Sequence, residues 1–94
     1  MSVAVTVEAG AGPAQGTWAQ TERDQVVLIL DRAYAPGAPL TLRGELEGAG
    51  LSVMAKTIGS KRRPDGFEVR AKLLGVTRGD RERIARAFGL SPSA

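Results

Sequence analysis

Glu45 with Glu47, Asp80 with Glu82, and Lys61 beside Arg62 and Arg63 are the groupings in this 94-residue chain whose types and spacing could do chemistry. Paired carboxylates can divide general-acid and general-base work, and a lysine crowded by cations can serve as an activated amine. Both carboxylate pairs are i, i+2 neighbours flanked by arginine, however, which is the setting of solvated or salt-bridged structural charges. Lys61 reads as an exposed loop charge. The chain has no histidine and no cysteine, which removes the commonest general base, thiolate nucleophiles, disulfides and thiolate metal sites. Gly10-Ala11-Gly12-Pro13 leads to no helix and no Gly-Lys-Ser/Thr, so it reads as a turn and not as a phosphate loop. The expectation is a protein that is not an enzyme and uses no cofactor or metal.

Positive charge is what remains. The 13 Lys and Arg exceed the 10 Asp and Glu, for a net charge of +3. Every cation lies at or beyond Arg23, with the surplus in 56–63 and 78–86. A hydrophobic fraction of 43% and a charged fraction of 24% are those of an ordinary globular protein. No apolar run approaches the roughly 18 residues of a transmembrane helix. The opening Met1-Ser2-Val3-Ala4-Val5 lacks the basic n-region and apolar block of a signal peptide. A cytoplasmic protein without a membrane span is expected, with one domain over residues 1–90 and a frayed tail at 91–94.

The elements that must position these charges are short strands and one helix. Val3, Val5 and Val7 alternate with Ala4, Thr6 and Glu8, the period of a half-buried strand. Gln15 to Thr21 is a weaker strand carrying Trp18, for which a core place capping one end of a barrel is favoured over an exposed anchor. Val26 to Leu30 is a continuous apolar run, expected to be buried on both faces. Pro36-Gly37 turns the chain, and from Pro39 the residues Leu40, Leu42 and Leu46 fall on one face, opposite Thr41, Arg43, Glu45 and Glu47. Leu51 to Ile58 and Gly66 to Leu74 form a hairpin around a polar loop, 59–65, that ends in Pro64-Asp65-Gly66. Thr77 caps a helix with Asp80 at the third position of a short capping box, Ile84, Ala87 and Phe88 line its inner side, and Gly89 ends it. The sum is a six-stranded antiparallel β-barrel with one C-terminal helix. The two N-terminal strands either complete the barrel or hang from it.

If the hairpin pairs in this way, Lys61, Arg62 and Arg63 at its tip join Lys56, Arg70 and Lys72 on its strands as one basic patch. The patch has two uses: to hold a protein partner, or to track a nucleic-acid backbone through its phosphates. It also has a plain structural reading, as charges that keep a strand edge soluble and unpaired. The four aromatic residues are Trp18, Tyr34, Phe67 and Phe88, too few for a stacking platform once the core takes its share. A protein partner, held through the basic hairpin or the exposed helix face, is therefore preferred, with a small basic nucleic-acid-binding barrel as the alternative. Tyr34, between Arg32 and Pro36, is the aromatic to add to the partner surface.

The span Leu28–Phe88 resembles the PilZ domain, a bacterial β-barrel with a C-terminal helix. The resemblance rests on Pro36-Gly37-x-x-Leu40-x-Leu42, on Gly66-Phe67-Glu68-Val69-Arg70, and on Gly75-Val76-Thr77 leading to Asp80-Arg81-Glu82-Arg83-Ile84. Typical PilZ domains bind cyclic di-GMP through an R-x-x-x-R element before the first barrel strand and a D/N-x-S-x-x-G motif, the arginines gripping phosphate and guanine. Here the second motif falls on Ala19-Gln20-Thr21-Glu22-Arg23-Asp24, which lacks its acid, serine and glycine. The first has no counterpart, because no arginine precedes Arg23. The resemblance thus implies a degenerate member that does not bind cyclic di-GMP. Such a member acts through protein contacts, in settings such as motility, pilus assembly and signalling.

Overall fold

Alternation of apolar and polar residues with a period of two gives each strand one face for a core, and six such strands close on themselves. The computed structural model describes residues 3–10, 12–46 and 48–89. The strands are β1 (Val3–Glu8), β2 (Ala14–Glu22), β3 (Gln25–Leu30), β4 (Pro39–Leu46), β5 (Ala49–Arg63) and β6 (Gly66–Leu74), followed by the helix α1 (Arg78–Ala87). They form a closed antiparallel barrel in the order β1-β2-β3-β6-β5-β4, β4 returning to β1. The N-terminal strands are therefore staves of the barrel. Glu47 and the tail 91–94 lie outside the described residues.

Val5, Val7, Trp18, Val26, Leu28, Leu30, Leu40, Leu42, Leu46, Val53 and Val69 fill the interior. Two glycines let neighbouring strands approach closely. Val5 is paired with Gly16 on one side and Gly44 on the other. A Cβ on Gly16 would run into the Ile29 carbonyl oxygen, and one on Gly44 would stand 2.9 Å from that of Ala4. The bare Gly44 lets β4 approach β1 closely and the bare Gly16 lets β2 approach β3, a common use of glycine at barrel corners.

Two expectations are corrected. β3 is buried on one face only, since Val27 and Ile29 are partly exposed beside Arg70 and Glu68. A barrel has a single interior, and among the described residues no layer of helices covers its outside. The polar loop at 59–65 is mostly strand: β5 continues to Arg63, and the turn shrinks to Pro64-Asp65.

Both barrel ends are plugged. At one, α1 begins at its Thr77 cap, whose Oγ1 accepts from the Asp80 amide at 3.2 Å. Its Ile84, Ala85 and Ala87 are buried. Phe88 tilts against Trp18 with ring centroids 5.3 Å apart, a contact of about 0.5–1.5 kcal/mol beyond area burial. The Trp18 indole donates to Thr21 Oγ1 at 2.7 Å. At the other end, the connection 31–38 is hydrogen-bonded to β5 through Tyr34, Gly37 and Ala38 and buries Tyr34.

Candidate functional site

Register decides which cations meet. In an antiparallel ladder, directly paired residues point to the same face. Lys56 is paired with Lys72, Gly59 with Arg70, Lys61 with Glu68, Arg62 with Phe67 and Arg63 with Gly66. Lys56, Lys61, Arg63, Arg70 and Lys72 thus share the outer face of the β5–β6 ribbon. Arg62 goes with Phe67 to the opposite face. A bulge between Thr57 and Gly59 inserts Ile58 and keeps Arg70 and Lys61 in line with the lysine pair.

The cations differ in how far they are neutralised. Glu68 receives Arg63 at 3.0 Å and Arg70 at 3.2 Å, and Arg63 also stands 3.4 Å from Asp65. Hydrogen bonds first from Arg70 and then from Arg63 hold the Glu68 carboxyl below its ordinary value of 4.5. Lys72 reaches Asp24 only at 3.9 Å. Among the described residues, Lys56, Lys61 and Arg62 have no ion-pair partner. Lys56 and Lys72 are also like charges placed directly opposite one another, an arrangement that destabilises a sheet.

Three further residues belong to this face. Met54, Ile58 and Leu74 are exposed at 58%, 46% and 41%. Met54 is paired with Leu74 in the row next to Lys56 and Lys72, so the outer face runs apolar, cationic, then Ile58 with Arg70. The sequence signal was present in the alternation itself. With Val53, Ala55 and Thr57 inside, Met54 and Ile58 must face out, and Leu74 follows the inward Leu73.

Tyr34 does not belong to the surface. It is 4% exposed, its hydroxyl donates to the Gly12 carbonyl at 2.8 Å, and Arg32 lies over its ring at 5.6 Å. Its amide donates to Ser60 Oγ at 3.1 Å, and that hydroxyl donates back to the Tyr34 carbonyl at 2.7 Å. Burial pushes the phenol pKa up from 10.0. Tyr34 therefore fastens the 31–38 connection to β5 as a buried structural post.

The Asp80–Glu82 pair is split between two arginines. Asp80 stands 3.5 Å from Arg83, and Glu82 stands 4.0 Å from Arg78. Arg83 itself was unexpected. Its guanidinium donates to the carbonyls of Leu46, Ala49 and Gly50 at 3.3, 2.8 and 3.2 Å, binding α1 to the β4–β5 turn. The segment aligned with the PilZ nucleotide motif forms the end of β2 and its turn, beside a cleft of about 240 Å³ lined by Gln20, Thr21, Glu22, Gln25, Val26, Val27 and Arg70. Arg70, which lines the cleft, is held by Glu68, and Glu22 adds negative charge. No helix among the described residues is long and apolar enough to cross a membrane. Comparison with protein-family models, curated proteins and solved structures finds no match.

Proposed function

We propose that this protein is a cytoplasmic, non-enzymatic interaction module that docks a protein partner on the outer face of its β5–β6 ribbon. Its scaffold is PilZ-like and has no cyclic di-GMP site. The observation that carries the reading is the coincidence of exposed apolar groups with unneutralised charge. Met54, Ile58 and Leu74 stand on one face among Lys56 and Lys61, which have no ion-pair partner among the described residues, and Lys72, which reaches Asp24 only at 3.9 Å. Desolvating such side chains supplies association energy, and the cations set orientation and selectivity. Nucleic acid is less well served. Trp18 and Tyr34 are buried and Phe67 and Phe88 pack against the core, so no base-stacking platform faces solvent.

Photo-crosslinking from position 54 tests the reading, with position 6 on the β1 wall as control. Saturable, nuclease-resistant crosslinks to polypeptide are expected from position 54 alone. Crosslinks that vanish with nuclease, or that form equally from position 6, would overturn it. A calorimetric titration with cyclic di-GMP is expected to be flat, and micromolar binding removes the degenerate-site part of the proposal.

A further inference from the structure

Resting on that docking surface, we infer that its occupant is an acidic amphipathic α-helix of the partner, with carboxylates between two apolar anchors. The order of the rows carries the inference. Met54 and Leu74 make an apolar row, Lys56 and Lys72 make the next, and Ile58 follows beside Arg70. Rows on one face are two residues apart, about 6.7 Å, so the apolar rows are separated by about 13 Å with a pair of ammonium groups between them. A complementary ligand presents apolar, anionic and apolar groups at the same intervals. In a helix these are positions i, i+3/i+4 and i+7/i+8, since four residues rise about 6.0 Å.

The row order also selects among occupants. A bilayer accepts apolar side chains together, with cations reaching outward from their rim, whereas here the lysine row separates them. A nucleic-acid backbone has phosphates for the lysines and nothing for Met54, Ile58 or Leu74. A second copy of this chain, docked isologously about the lysine row, would oppose Lys56 and Lys72 to themselves. An extended segment laid on the face would leave its amides without partners, because the ladder bonds of β5 and β6 already lie in the sheet plane. A helix arrives with its backbone satisfied.

The test uses the whole protein labelled with 15N and four probes. They are a helical peptide with Leu at i, i+7 and i+8 and Glu at i+3 and i+4, its Glu-to-Lys counterpart, the acidic peptide broken by a central proline, and a 20-nucleotide single-stranded DNA. Amide shifts should map the acidic helix to 54–58 and 70–74, with at least tenfold tighter binding than either altered peptide. K56E/K72E should reverse the charge preference while its own spectrum remains dispersed, and M54S/L74S should weaken the acidic helix at least tenfold. Equal binding of the Glu and Lys peptides, or undiminished binding of the broken peptide, overturns the acidic-helix assignment and leaves the protein-docking reading intact. Shifts on this face from DNA, with none from any peptide, overturn both.

Discussion

The helix-capped end of the barrel and the outer face of the β5–β6 ribbon both carry basic residues, and they use them in opposite ways. At the helix end, Arg83 gives its guanidinium to three carbonyls of the β4–β5 turn and a carboxylate of its own helix. On the ribbon, Lys56 and Lys61 have no ion-pair partner among the described residues, and Lys56 faces Lys72. The difference shows that the count of cations in a segment says little about binding. What matters is whether the fold has already supplied acceptors. Arginine suits the first use because its planar fork satisfies several oxygens at once, and lysine suits the second because its ammonium stays solvated on a flexible stem.

The comparison breaks most visibly at Arg83. Arg83→Met keeps the stem and deletes the donors, leaving the carbonyls of Leu46, Ala49 and Gly50 without this partner. A loss of about 1.5–3 kcal/mol is expected, the range for hydrogen bonds to charged groups. Arg81→Met, an exposed change on the same helix, should stay within about 0.5 kcal/mol. Urea unfolding measures both, and amide exchange should show α1 losing protection before the strands do. Equal losses for the two variants would mean that Arg83 is as dispensable as a solvated charge.

The ribbon side is sharpened by Lys72→Glu. Setting a carboxylate opposite Lys56 replaces a repulsive cross-strand pair with an attractive one. The barrel should gain about 0.2–1 kcal/mol. The same variant should bind the acidic helical peptide at least tenfold more weakly. A gain in stability coupled to a loss of binding is the expected mark of charge retained for a partner. If Lys72→Glu destabilises the barrel, the 3.9 Å approach of Lys72 to Asp24 outweighs the like-charge pair, and Lys72 belongs with Arg83 among the internally used cations.

Much of the barrel was legible because each strand's inward residues repeat at a spacing that only an interior explains. Val5 and Val7, Leu40 and Leu42, and Val69 and Ala71 all face inward as their alternation requires. The strand at Ser60 to Arg63 was not legible, because it runs past the core and is polar on both faces, so no period appears. Tyr34 and Arg83 were hidden for a different reason. Their partners are backbone atoms 22 to 37 residues away in sequence, and a carbonyl leaves no trace in residue type. Met54, Ile58 and Leu74 could be placed outside by parity alone. Their significance needed the register that sets Met54 beside Leu74 and both beside the lysine row.

Glu68 marks the boundary between spent and unspent charge, and its titration gives the smallest predicted effect. Arg70 and Arg63 depress its folded pKa below 4.5, so unfolding returns the carboxyl to a state that binds a proton more readily. The stability it contributes is therefore fully present above the unfolded value and is lost as pH falls through the lower, folded one. In thermal melts, Glu68→Gln should lower the midpoint slightly above pH 4.5, with the two proteins converging as the pH drops below the folded pKa. The ion pairs lie at the surface, where screening limits their worth, and raising the salt concentration should narrow the gap. At neutral pH the substitution also releases Arg63 and Arg70 from their shared carboxylate. The acidic peptide should then bind more tightly to Glu68→Gln than to the wild type. Weaker binding would show that Glu68, by fixing Arg70 in place beside Ile58, shapes the docking face instead of subtracting from its charge.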